Sequence, residues 1–158
     1  TSVSTTADNQ SSVSITDNIT VTFSEAMDTT YVTTSTSDTN CAGTIRVSSD
    51  NFSTCVKMSS SPASSNSNKT FTLDPYDNLT RLTTYLTRVT TGVKDTAGNA
   101  MGSQYETSSG FTTDNISTAK LTVSNSSLTS GTTYYWKVVA SDPKGGSAQS
   151  ETWSFIVQ

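Results

Sequence analysis

A chain of 158 residues with a net charge of −4 has room for one large domain, or one domain and part of another, and not for three. Its nine basic residues are scattered without a run, which argues against a nucleic-acid or anionic-membrane surface, and no stretch is apolar enough to span a bilayer. About two-fifths of the residues are Ser or Thr and only 14% are charged, a composition poor for helices and suited to the solvent face of a sheet.

In chain order, residues 1 to 18 offer only Val3, Ala7, Val13 and Ile15 as apolar groups. No charged and apolar leader precedes Thr1, so a mature chain or a portion of a longer one is expected. The first clear strand is Ile19, Val21 and Phe23 alternating with Thr20, Thr22 and Ser24. Ile45 and Val47 flank Arg46 in a second, and Phe71 and Leu73 flank Thr72 in a third. Between them lie turn-forming stretches: Asp17-Asn18, Ser48-Ser49-Asp50-Asn51, residues 64 to 68, and Asp74-Pro75. Short strands at intervals of about ten residues are the pattern of a β-sandwich.

Cys41 and Cys55 bracket the second strand in a chain with no His, so a zinc site is left half filled and a disulfide is expected. Such a bond places the chain outside the cytoplasm. Longer strands are predicted over Tyr85 to Val93 and Thr133 to Ser141. An internal echo precedes both, Leu79 to Tyr85 matching Leu128 to Tyr134, with Leu-Thr at its start and Tyr at its end. Tyr85 and Tyr134 are therefore predicted to form tyrosine corners, each hydroxyl folding back onto the loop before it.

Three segments then carry a family resemblance: residues 19 to 28, Thr83-Thr84-Tyr85, and residues 91 to 100. Over residues 1–113 the chain resembles the bacterial Ig-like repeats of surface-layer proteins and large adhesins. It departs from them at Thr5-Thr6-Ala7-Asp8, where the family usually carries Pro. Residues 116–158 resemble the closing strands of a fibronectin type III domain, with three strands near 119 to 124, 132 to 141 and 150 to 157, and Asp142 to Gly146 as a hairpin loop. The expected fold is all-β: an immunoglobulin-like antiparallel β-sandwich followed by a partial fibronectin-like β-sheet.

Half a sandwich leaves a face to cover. On alternation alone Leu121, Val123, Tyr134, Trp136, Val138, Trp153, Phe155 and Val157 point inward, and leaving them wet forfeits on the order of 10–20 kcal/mol. Copies of the same chain are the expected partner, with Trp153, Phe155 and Val157 on a C-terminal strand donated to a neighbour. A compact monomer in which both segments form one enlarged sandwich is one competing expectation; another has this segment pair with the Tyr134 strand of its own chain, the donor then being the N-terminal segment or the Ig-like edge.

Catalysis has little support, because no His accompanies the nucleophiles and the carboxylates show no acid and base spacing. No cofactor is expected. Calcium is considered only at Asp95 and Asn99 in Asp95-Thr96-Ala97-Gly98-Asn99, where the same residues also serve plain turn geometry. Asn-X-Ser/Thr triplets begin at Asn9, Asn18, Asn51, Asn68, Asn78, Asn115 and Asn125 and admit surface glycosylation. The expected role is a non-enzymatic structural subunit of an extracellular bacterial filament or surface assembly. An adhesin or spacer repeat of a longer cell-surface protein is the first alternative. A glycan-binding accessory module is the second, with a glycan or host-surface ligand.

Overall fold

The computed structural model describes residues 3–5, 8–115, 128–141 and 147–158. The chain divides into two compact units, Thr1–Ser117 and Thr118–Gln158. The strand expected near 119 to 124, with Leu121 and Val123, and the loop expected at Asp142 to Gly146 lie outside the described residues.

The first unit is a sandwich of two antiparallel sheets. One sheet runs β1-β2-β5-β4, from Val3–Thr5, Ile19–Phe23, Thr70–Leu73 and Ala63–Ser65. The other runs β3-β6-β7, from Ile45–Ser48, Thr84–Val89 and Tyr105–Glu106, with β8 (Phe111–Thr112) also paired to β6. Alternation decides the faces, as a period of two requires. In β2, Ile19, Val21 and Phe23 are buried while Thr20 and Thr22 are only half-buried. Val21 stands opposite Phe71 and Ile19 opposite Leu73 across β2 and β5, so the apolar side chains of both strands fall on the inner face. Ile45 opposite Val89 does the same for β3 and β6.

Phe23 and Phe71 meet edge to face at 5.7 Å in the centre, the arrangement their quadrupoles favour. Loops close the ends of this core. Met27, Val32, Met58, Val93 and Met101 are buried from irregular segments, and unbranched Met suits such uneven gaps. Gly110 marks a tight approach at φ +66°, where a Cβ would collide with the Tyr85 carbonyl. Buried Thr113 uses its hydroxyl twice, donating to the Thr80 carbonyl (2.6 Å) and accepting from the Thr83 amide (3.0 Å), which closes the turn before β6.

Strand β6 ends at Val89 and does not reach Val93. Its partner β3 begins at Ile45, directly opposite Val89, and beyond that point one further bond, from the Thr90 amide to the Thr44 carbonyl at 2.9 Å, precedes the turn. The chain turns through Thr91 and Gly92, and the Val93 amide bonds the Thr90 carbonyl while the Val93 side chain enters the core.

The second unit is an antiparallel hairpin in two parts. β9 (Thr133–Trp136) pairs with β12 (Trp153–Ile156), and β10 (Val139–Ser141) pairs with β11 (Ser147–Gln149). The strand expected over Thr133 to Ser141 is therefore interrupted. Residues 137–138 on one side oppose 150–152 on the other, one residue more, and such an imbalance breaks a ladder in the manner of a bulge. The Ser150 hydroxyl accepts from the Val138 amide there at 2.9 Å, replacing a ladder bond.

Candidate functional site

The disulfide joins Cys41 to Cys55 with Cα atoms 5.0 Å apart, a normal reach for such a bond. It closes a loop around β3, and the turn inside that loop is built more firmly than Asp50-Asn51 alone suggests. The Asp50 carboxylate accepts from the Thr54 hydroxyl (2.6 Å), the Thr54 amide (2.9 Å) and the Ser48 hydroxyl (2.8 Å). These bonds, Thr54 foremost, hold its pKa at about 2. Ser48 in turn accepts from the amides of Asp50 (3.2 Å) and Phe52 (2.9 Å).

This mesh keeps Asn51 and Phe52 at φ 57° and 62°, a left-handed conformation unfavourable for an aromatic residue. In return the Phe52 ring lies 3.7 Å from the Arg88 guanidinium carbon, and Arg88 Nε donates to Glu106 at 2.8 Å. Arg46 is opposite Arg88 on the neighbouring strand and donates its Nε to the Gly43 carbonyl at 3.0 Å. Phe52 and Arg88 were invisible as a pair in the sequence, because nothing in a turn motif says which strand lies beneath it.

Tyr85 and Tyr134 occupy equivalent corners. The Tyr85 hydroxyl accepts from the Thr80 amide at 3.0 Å, and the Tyr134 hydroxyl from the Thr129 amide at 2.9 Å, each five residues upstream. Their settings differ. Tyr85 is buried and stacks on Phe111, whereas Tyr134 is half-buried and stacks on Phe155.

At the loop considered for calcium, Asp95 Oδ1 accepts from the amides of Ala97 (2.9 Å) and Asn99 (2.8 Å), and Oδ2 accepts from Asn99 Nδ2 (2.8 Å). Gly98 has φ +89°, as the turn requires. Those bonds lower the Asp95 pKa, the Asn99 side chain contributing most. Both oxygens thus serve the loop itself. Among the described residues no group of three or more His, Cys, Asp or Glu is placed to hold a metal. Asp38 is used similarly, accepting from the Asn40 amide (3.0 Å) and side chain (2.9 Å), which also lowers its pKa.

The C-terminal segment proposed as a donor is paired within its own chain. In this single chain Trp153 stands opposite Trp136 and Phe155 opposite Tyr134 on β9. A hairpin partner adjacent in sequence closes at far lower entropy cost than one on another chain. The result is a row of aromatic pairs on one face, Trp136 with Trp153 at 4.6 Å and Tyr134 with Phe155 at 5.9 Å. Trp136, Trp153 and Phe155 keep 43–45% of their surface exposed among the described residues. Val157 anchors the strand end, its amide bonded to the Thr132 carbonyl at 3.2 Å and its carbonyl accepting from Gly131 at 2.8 Å.

The family profile described as a bacterial Ig-like domain matches residues 1–113. No curated protein matches the chain. Among solved structures, the S-layer protein rSbsC(31-844) is 23% identical with a TM-score of 0.46, over 87% of this chain and 18% of that one. The N-terminal part of the bacterial S-layer protein SbsC is 17% identical with a TM-score of 0.47, over 94% of this chain and 42% of that one. Domains 1-6 of surface layer protein SbsC are 16% identical with a TM-score of 0.48, over all of this chain and 26% of that one. The chain spans less than half the length of each.

Proposed function

The chain belongs to the bacterial Ig-like domain family through residues 1–113, and from that premise we propose that it is a non-enzymatic structural module of an extracellular bacterial surface assembly. The observation that carries this reading is how the candidate chemical groups are used. Both thiols are spent on a disulfide, Asp38, Asp50 and Asp95 cap their own loops, and the two corner tyrosines bond backbone amides. Groups that could perform chemistry instead hold turns, which is what a load-carrying module needs.

An outer surface dominated by Ser and Thr, with a disulfide across one loop, suits an oxidising exterior. The finer reading is assembly from copies that meet through sheet contacts, for which the exposed aromatic face of β9 and β12 supplies apolar surface. Light scattering across a range of concentrations, followed by negative-stain imaging, tests it. Ordered polymers that disappear in the Trp136→Ser/Trp153→Ser variant support assembly. A monomer at every concentration overturns assembly and leaves a spacer repeat.

A further inference from the structure

Two segments of the first unit, residues 9–13 and 110–114, lie side by side and run in the same direction, with Val13 and Thr113 as a parallel bridge. The strand ladders of both sheets are antiparallel, so direction sets this contact apart. Backbone bonds join the two segments along their length. The Asn9 amide donates to the Gly110 carbonyl (2.6 Å) and the Thr112 amide to the Gln10 carbonyl (2.8 Å). The Val13 amide donates to the Thr112 carbonyl (3.1 Å) and the Asp114 amide to the Val13 carbonyl (2.8 Å). At the start of the pair the Gly110 amide also donates to Asp8 Oδ1 at 3.1 Å.

Direction decides how such a contact carries tension. Stretching the chain draws Asn9 backward along one segment and Asp114 forward along the other. In a parallel pair these are opposite directions along one axis, so the bonds across it are loaded together and slide as a set. An antiparallel pair pulled from its open end parts one bond at a time. The later segment cannot peel away first, because β6 holds its other side: Phe111 stands opposite Tyr85, Thr112 opposite Thr84, and the Thr113 amide bonds the Thr83 carbonyl at 3.0 Å. The Thr113 hydroxyl adds its bonds to Thr80 and Thr83, and Arg81 lies 3.8 Å from Asp114. The earlier segment is fastened just beyond its end, where the Leu79 amide bonds the Ile15 carbonyl at 2.9 Å and Val13 and Ile15 pack against the core.

We infer that the first unit bears tension along the chain, with residues 9–13 and 110–114 as the shear clamp that resists it. Tension entering at Asn9 leaves at Asp114 through these bonds, and the core between the sheets stays unloaded until they give way. Strand β1, ahead of the clamp, is held by a ladder of three residues and is drawn off first. In the second unit β9 and β12 are antiparallel and are loaded from one end, at Thr133 and Ile156, so they unzip at low force. Such a clamp presupposes the structural role proposed above, but pulling on single chains does not involve assembly. A chain that polymerises without resisting shear loses only the clamp, and a monomer that resists shear loses only the assembly.

The test is single-molecule force spectroscopy on the full chain, held by handles at residues 1 and 158. Unzipping of the second unit at low force and one abrupt rupture that releases the first unit are expected. In the Cys41→Ser/Cys55→Ser chain the abrupt event should lengthen by about 45 Å, the reach of the 14 residues that the disulfide holds closed. Moving the first handle to Ser67, in the exposed loop between β4 and β5, peels β5 from β2 instead and should lower the rupture force by about half or more. Val13→Pro removes one donor of the clamp and should also lower the force in the original geometry, with the far-ultraviolet spectrum retained. If Val13→Pro does not fold, the comparison of pulling directions decides alone. Equal rupture forces in the two directions overturn the proposal, as does an abrupt event that does not lengthen without the disulfide, or a folded Val13→Pro chain that ruptures as the parent does.

Discussion

Replacing both cysteines with serine removes a cross-link that acts mainly on the unfolded chain. The bond joins residues 14 apart, so the closed loop holds about 15 residues, and chain-entropy reasoning gives a loss of about 3 kcal/mol. The native bonds around the loop, Cys55 amide to Thr39 carbonyl and Val56 amide to Val47 carbonyl at 2.8 Å each, do not need sulfur and should persist. For the 113 residues of the Ig-like domain, an unfolding entropy near 2.1 cal/mol/K per residue converts that loss into a midpoint lower by about 12 °C. The denaturant slope should also rise, because an unlinked chain exposes more surface. Tryptophan fluorescence is the wrong probe, since Trp136 and Trp153 are the only tryptophans and both lie in the second unit. Far-ultraviolet circular dichroism combined with amide exchange at Val21 and Val47 reports the correct unit. A midpoint lowered by less than about 3 °C, with an unchanged urea slope, would refute the entropic account.

The two tyrosine corners provide a matched pair: Tyr85→Phe should cost about 1 kcal/mol by urea unfolding, and Tyr134→Phe less than half of that, because water can replace the exposed bond to Thr129. Equal costs would show that burial does not set the value of the corner. Asp50 governs an acid response. Its folded pKa of about 2 lies below the ordinary 3.8, so its contribution is complete above the ordinary value and is lost as pH falls through the folded one. Unfolding midpoints measured across that window should fall more steeply for the parent chain than for Asp50→Asn, and parallel curves would exclude Asp50 as the source.

Much of the first unit is legible residue by residue. Ile19-Thr20-Val21-Thr22-Phe23 places its apolar groups on one face at a period of two, and the buried and half-buried alternation of β2 follows directly. The same local logic finds β3, β5 and the start of β6, and it finds the two tyrosines because Leu-Thr precedes each at the same distance. The Cys41 to Cys55 link was also within reach, since a short chain separation and the absence of His leave few other uses.

Tertiary structure decided what local pattern does not encode. β2 takes β5 as its neighbour about 50 residues on, and β3 takes β6 about 40 residues on, pairings whose loop-closure cost is recovered only when both sheets pack. Met27, Met58, Val93 and Met101 entered the core from loops with no periodicity to announce them. Phe52 settled on Arg88 because the Asp50 mesh forces a left-handed turn above that strand. In the second unit, one extra residue opposite Lys137 and Val138 broke the predicted long strand, and a nearby hairpin partner claimed Trp153 and Phe155. Alternation says which side of a strand is apolar, but only the register and the competing partners say what that side meets.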